Sequence, residues 1–525
     1  MPPRCCPPVV LAILSLAAVL VLTGATLSRG ADHRPFTFEI TRAQGIHPGP
    51  ISARVYVMLG PAVGWSEPRL GPDWFRPQPF FAVEAKGWKA GDRLEVGADA
   101  VGYPGPLDTL EPGMYRAQAV VRLNPDTHEL GDGEGNAYGP AVQVSLDPKT
   151  GGSFALRVDK VVPPRVFKET ARVKIVELDS PLLSAFHKRT IRHRAAVSLP
   201  AGDLTRKRGT LYIIPGFGGD HILAARMAAS SRSSFGGDLI RVVLDPDCGT
   251  GHHVFADSAF NGPRGRALVE ELIPYIERTF PAIPEPRARL LNGHSSGGWS
   301  SLWLQVAYPD VFGGTWSTSP DPVDFRDFQQ IDLYSRSANM FRDPAGQRRP
   351  IARQGTRAII FYDSFSRMED VIGDGGQLHS FEAVFSPLGS DGRPRPLWDR
   401  TTGAVDPETA RAWEKYDIRL VLERNWPTLG PKLEGKLHIV TGGLDTFYLE
   451  GAVKLLKASL ERLGSDAVVE VIPGRDHGNV LDAALMARFD REINAAVGAP
   501  AKSTSKLKPK PKPKAATTPS LSPSR

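Results

Sequence analysis

Apolar and polar residues alternate with a period of two along the first third of the chain. Between Ile51 and Leu59, the residues Ala53, Val55, Val57 and Leu59 alternate with Ser52, Arg54 and Tyr56. Tyr115, Ala117, Ala119, Val121 and Leu123 alternate with Arg116, Gln118 and Arg122, and Val142, Val144 and Leu146 repeat the pattern. Side chains change face at every residue of a strand, so these runs, separated by Gly, Pro and Asp clusters, predict short antiparallel strands. The expectation for residues 31–163 is an all-β sandwich domain. Val162, Pro163 and Pro164 mark its end.

The rhythm then changes. Compact apolar runs, Leu211 to Ile214, Leu239 to Leu244, Leu290 to Leu291 and Leu437 to Val440, are separated by stretches with helical spacing. In one of these, Leu268, Val269, Leu272, Ile273 and Ile276 would bury one face, although Pro274 within it should kink the helix. Strands alternating with helices predict a mostly parallel sheet covered on both faces, so residues 164–498 are expected to form an α/β domain. Residues 325–430 interrupt the alternation with many charges and few strand signals, and are expected to be an insertion or cap.

Charge changes the picture only at the ends. The 525 residues carry 64 Lys and Arg against 57 Asp and Glu, a net +7, but residues 499–525 alone hold six lysines, one arginine and no acid. The body is therefore close to neutral, and the basic balance gives no reason to expect nucleic-acid binding. The Lys/Pro alternation from Lys506 to Lys514 cannot build a core. It predicts a solvated, extended, disordered tail, with adhesion to an anionic cell-surface polymer as the alternative.

At the other end, Arg4 precedes an apolar run from Val9 to Leu22 broken only by Ser15, with Thr23, Gly24 and Ala25 following. A charged start, a short apolar stretch and small residues predict a signal peptide over residues 1–30, cleaved after Ala25, Gly30 or Ala31. The alternative is an uncleaved anchor over the same run. A cleaved chain would be secreted or periplasmic and hold no membrane-inserted segment. Of the three cysteines, Cys5 and Cys6 fall in the leader and only Cys248 remains, so neither an internal disulfide nor a cysteine-rich metal site is expected.

Candidate chemistry begins at Gly293-His294-Ser295-Ser296-Gly297. The pentapeptide is a common pattern by itself. What singles it out is a predicted strand before it and a helix from Ser300 to Ala307 after it. A sharp strand-to-helix turn exposes a serine hydroxyl, and flanking glycines permit the turn. A base is needed next. His477 lies in a loop after the last predicted strand, Ala467 to Ile472, unlike His252, His253, His294, His379 and His438. A carboxylate must then fix the imidazole: Asp445 follows the strand Lys436 to Thr441, where its alternative role is an ordinary helix N-cap. Asp476 is a rival acid, but a residue adjacent to the histidine rarely turns back to its ring. Oxyanion donors are expected from the glycine-rich loop Pro215 to Gly219, with Phe217 or Gly218 supplying one amide and Ser296 the other. His252, His253 and Asp257, after the strand Leu239 to Leu244, are expected to line the substrate pocket.

Taken together, Gly293 to Gly298, Val269 to Ile276, the Gly216 to Gly219 loop, Gly443-Leu444-Asp445 and Asp476-His477 resemble the putative-esterase family of α/β-hydrolases. That family contains esterase D, feruloyl and acetyl-xylan esterases, enterochelin esterases and secreted mycolyltransferases. The resemblance implies an α/β-hydrolase fold, a Ser-Asp-His triad and no cofactor or metal. The long 325–430 region departs from it. The expected function is an exported serine esterase that hydrolyses a small-molecule or glycan carboxylic ester through an acyl-enzyme. The alternatives are an acyltransferase of the mycolyltransferase type and a catalytically inactive carbohydrate- or surface-binding protein.

Overall fold

The computed structural model describes residues 36–498 apart from 65, 204 and 231–235. The leader and the Lys/Pro tail lie outside the described residues. Among the described residues no helix is long and apolar enough to cross a membrane.

The N-terminal part is β-rich and holds two sheets. Phe36–Arg42 pairs with Leu94–Val96 and Gly152–Val158. The larger sheet runs Lys160–Val161, Ala137–Tyr138, Gly113–Val121, Ile51–Pro61, Phe80–Trp88 and Val101–Tyr103, with Val142–Leu146 also on Gly113–Val121. Phe36, Phe38 and Ile40 from one sheet and Val55, Val57, Leu59, Ala117, Ala119 and Val121 from the other share one core. One pairing differs from the antiparallel expectation: Phe36–Arg42 runs parallel to Gly152–Val158. Parallel neighbours need a long connection, and here almost the whole region intervenes between the two strands.

The alternation in Ile51–Pro61 does not separate a wet face from a dry one. Val55 through Gly60 are all buried, because Tyr56 and Met58, on the opposite face from Val55 and Val57, join a second core built largely from the 325–430 region. Tyr56 also donates its hydroxyl to the carbonyl of Ile372 at 2.6 Å, and Arg54 donates to the carbonyls of Val371 and Asp370. A strand packed in its own core on one face and bonded to the 325–430 region on the other ties the β-rich region to the rest of the chain.

The second half is an α/β fold around a mixed eight-stranded sheet. Its order is Val173–Asp179, Arg192–Ser198, Ile240–Leu244, Thr210–Ile214, Arg289–His294, Gly314–Thr318, Leu437–Gly442 and Val468–Ile472. Val173–Asp179 and Arg192–Ser198 pair antiparallel, Arg192–Ser198 is antiparallel to Ile240–Leu244, and the remaining neighbours are parallel. Pro274 has a structural reason for its place. Ile273 donates its amide to Leu268, a π-type turn one residue wider than the α-helical spacing, and the proline follows where the regular ladder is already broken.

Residues 325–430 form the hairpin of Pro350–Gln354 and Arg357–Phe361 and several helices, among them Tyr362–Ile372, Gln377–Phe385 and Ile418–Leu433. They pack on the sheet through aromatic rings. Trp413 meets Phe385 at 5.1 Å and Phe325 at 5.9 Å, and Phe385 meets Trp299 at 5.1 Å between ring centroids. Trp299 lies on the helix Ser296–Ala307, directly behind the candidate nucleophile.

Replacing Tyr56 with Phe removes the bond to Ile372 and strands a buried carbonyl. The expected cost is about 1–3 kcal/mol in urea denaturation, with the fold otherwise retained. An unchanged midpoint would show that this cross-region bond contributes nothing net.

Candidate active site

The strand Arg289–His294 lies in the middle of the sheet and ends at Ser295, whose φ is 59° before the helix Ser296–Ala307 begins. A serine is rarely held in this conformation, and the surrounding backbone enforces it. A Cβ on Gly293 would lie 2.0 Å from the Gly297 carbonyl oxygen, and one on Gly297 would lie 1.9 Å from that of Ile214. The Ser295 amide donates to Thr318 at 3.0 Å, and the Ser295 carbonyl accepts from Trp299 at 3.0 Å. The turn is thus fixed on both sides, and its side chain projects from the carboxyl edge of the sheet.

The loop after Thr210–Ile214 runs alongside. A Cβ on Gly216 would come within 3.2 Å of the Ser295 Cβ, so Pro215 to Gly219 passes directly beside the hydroxyl. Gly218 has φ +79°, a conformation that favours glycine. Among the described residues neither the Phe217 nor the Gly218 amide donates to another backbone carbonyl. Ser296 opens a helix, so its amide has no carbonyl one turn back to bond. These are amides available to a developing negative charge.

His477 and Asp445 meet at the ends of the next two strands. His477 Nδ1 is 2.8 Å from Asp445 Oδ2, with Asp445 fully buried. Burial raises the Asp445 carboxyl, but the His477 ring, the Phe447 amide at 2.9 Å and the Ser319 hydroxyl outweigh it and hold the pKa below the ordinary value. The next helix starts only at Glu450, because Tyr448 takes φ 59° and turns the chain first. Asp445 therefore faces the histidine from a turn and is not the N-cap of that helix. Asp476, the rival acid, bonds the amides of Gly478 and Asn479 within its own loop. Among the described residues Ser295 makes no direct side-chain hydrogen bond to His477.

The three expected pocket residues have other partners. His252 donates Nε2–H to the Pro215 carbonyl at 2.9 Å and accepts from Val254 on Nδ1, bracing the oxyanion loop from behind. Burial lowers its pKa to about 4, so the ring stays neutral. His253 is equally buried and accepts from Phe255 on Nδ1. Asp257 accepts from Gly265 and Arg266 at a helix start and from the Tyr308 hydroxyl. His252 and Asp257 are thus engaged by bonds within the protein, and His253 by its Nδ1.

Other residues stand closer to the reacting centre. Asp321 Oδ2 accepts from Ser296 Oγ at 2.6 Å, and Gln377 Nε2 reaches both groups, at 3.2 and 3.3 Å. The signal for Asp321 was present, an acid just past the strand that follows the nucleophile strand. Gln377 lies in the 325–430 region and left no local signal. Phe447 packs edge-on to the His477 ring at 5.0 Å, and Trp74 and Phe75 from the β-rich region each lie 6.3 Å from Phe447. Trp74 also meets Phe217 at 5.3 Å. His294 lies 4.5 Å from His477, and burial, with the neighbouring His477, lowers its pKa to about 4.

Residues 259–458 match the family model described as putative esterase, a span that includes Ser295 and Asp445. Over these residues, fewer than half of the chain, the protein is similar to that family. His477 and the Pro215 to Gly219 loop lie outside the matched span. No curated protein matches the chain. Three solved structures are similar to part of the chain. FphF, a Staphylococcus aureus fluorophosphonate-binding serine hydrolase, is 14% identical over 62% of this chain and 99% of its own, with a TM-score of 0.37. An S-formylglutathione hydrolase from Agrobacterium tumefaciens is 15% identical over 63% and 98%, with a TM-score of 0.38. A ferulic acid esterase from Anaeromyces mucronatus is 16% identical over 64% and 94%, with a TM-score of 0.31. Overlaps this slight carry no argument about substrate.

Burial above all raises the Asp321 carboxyl from 3.8 to about 6, while its bond from Ser296 works the other way. A carboxyl raised in the folded state binds its proton more tightly there than when unfolded, so ionising it destabilises the fold. Relative to Asp321→Asn, the wild type should lose stability as pH rises from about 4 through about 6, by up to about 3 kcal/mol, and then level off. Thermal melts of both proteins across that range check the sign. A difference that is flat or grows in the opposite direction would contradict it.

Proposed function

We propose that the protein is an exported serine esterase that works through an acyl-enzyme. Ser295 Oγ attacks the ester carbonyl while His477 accepts its proton, and Asp445 holds the imidazole with the required nitrogen facing the serine. The tetrahedral oxyanion is received by the Ser296 amide together with that of Phe217 or Gly218. His477 returns the proton to the leaving alcohol, and water repeats the sequence to release the acid. The single observation that carries this reading is the 2.8 Å bond between Asp445 and His477 beside a serine held at φ 59°.

A buried carboxylate held ionised by the imidazole stabilises the imidazolium formed during attack. That is the property a Ser-His pair lacks without its acid. The N-terminal region, read as a β-sandwich in front of the catalytic fold, adds Trp74 and Phe75 to the mouth of the site. An aromatic mouth favours a flat, apolar portion on one side of the ester. Export rests on the leader at residues 1–30, and attachment to an anionic surface polymer rests on the lysines of residues 499–525.

Ser295→Ala should abolish labelling by a fluorophosphonate probe. It and Asp445→Asn should each lower kcat on a 4-nitrophenyl ester by about 10³-fold or more, with circular dichroism unchanged. Equal labelling of wild type and Ser295→Ala would refute the assignment. Trp74→Ala should raise KM for an aryl ester about two- to tenfold and leave kcat nearly unchanged. Removing residues 499–525 should release the protein from cell envelopes at physiological salt, and N-terminal sequencing of the exported protein should begin at or after Thr26.

A further inference from the structure

Away from Ser295 there is a polar cleft of about 980 Å³ where the β-rich region, the α/β region and the 325–430 region meet, and no member of the Ser295, Asp445 and His477 cluster lines it. Its volume is at the upper end of the range for small-ligand sites, roughly 300–1,000 Å³.

Charge distinguishes this cleft from a solvent-filled seam. Most of the cations on its walls have a carboxylate beside them. Arg54 pairs with Glu84 at 2.6 Å and Arg189 with Asp126 at 2.6 Å. Arg393 pairs with Asp374, and Arg400 with Glu382. His379, raised to about 9 because Asp370 and Glu369 outweigh its burial, has Asp370 at 3.4 Å. Two guanidiniums are left over. Arg122 spends its donors on the backbone carbonyls of Asp374, Thr127 and Gly249, one from each of the three parts that meet here. Arg264 makes one hydrogen bond, from Nε to the Asn261 carbonyl at 3.1 Å. Among the described residues neither has a carboxylate within ion-pair distance. Burial lowers the Arg264 guanidinium from its ordinary value, and Cys248, Asp126 and Asp245 oppose this only in part.

We propose that this cleft binds a small ligand carrying a dianionic oxygen group, a phosphate monoester or a pair of carboxylates, with Arg264 as its principal contact and Arg122 supplying the second positive charge. Two surplus cations match two negative charges, and the free edge of a guanidinium suits phosphate and carboxylate oxygens alike. The cleft and the candidate active site share a wall. On the helix Gln377–Phe385, Gln377 bonds Ser296 while His379 and Glu382 line the cleft.

Titration calorimetry of the full chain with inorganic phosphate and with succinate, at low ionic strength against matched chloride, tests the proposal. Saturable binding of phosphate alone identifies a phosphate site, binding of succinate alone a dicarboxylate site, and binding of both supports recognition of charge. Arg264→Met should weaken binding about tenfold or more, with partial recovery in Arg264→Lys. Pro396→Glu, which adds a carboxylate at an exposed position on the same wall, should weaken it as well and serves if Arg264→Met fails to fold. Ser295→Ala should bind as wild type does, which separates this site from the catalytic reading. No binding above chloride, undiminished affinity in Arg264→Met or Pro396→Glu, or loss of binding in Ser295→Ala would overturn it.

Discussion

Two backbone segments pass so close at Ser295 that no side chain fits between them. Gly293 and Gly297 have Ile214 and each other at distances where any Cβ would collide, and the serine between them is forced to a positive φ. Everything else in the candidate site is arranged around this strained turn. The strain of a non-glycine residue in that region costs on the order of 1–3 kcal/mol. The central position of Arg289–His294 in the sheet offsets it, because hydrogen-bonded strands on both sides hold the turn's entry fixed. The same crowding brings the Pro215 to Gly219 loop against the hydroxyl, and among the described residues its Phe217 and Gly218 amides have no backbone partners.

Around that turn the titratable groups sort by environment. Asp445 and Asp321 are both buried carboxylates within one site. Asp445 has an imidazole and an amide to hold its charge and stays ionised, whereas Asp321 has a hydroxyl and a carboxamide and moves toward neutrality. His252 and His294 are buried without an anion of their own and remain neutral. His379, next to two carboxylates, goes the other way. Burial has the same sign for every group of one charge type, so the partner decides the outcome.

The β-rich region and the 325–430 region are structurally one covering. Tyr56, Met58 and Val120 enter the same core as Phe365, Phe381 and Trp413, and Arg122 ties carbonyls of three parts together. Trp74 and Phe75 reach the histidine side of the site from one part, and Gln377 reaches the nucleophile side from the other. The walls around Ser295 and His477 are therefore supplied by neighbours of the eight-stranded sheet.

Local order determined a good deal of this. Period-two runs marked the strands around Val55 and Ala119, apolar runs marked the sheet, and glycines at 293, 297 and 298 marked the turn, because each depends on residues a few positions apart. The order of Ser295, Asp445 and His477 along the chain was equally readable, since strand ends in an α/β sheet fall on one edge. What the sequence could not contain was the partner of each polar group. His252, His253 and Asp257 follow a strand on the correct edge, yet they are engaged by Pro215, Phe255 and Tyr308, which are distant or differently turned in the chain. The buried second face of Ile51–Pro61, the bond from Ser296 to Asp321 and the surplus charge of the cleft all arise where remote segments pack together. Contacts of that kind carry no periodicity, so only the tertiary structure decided them.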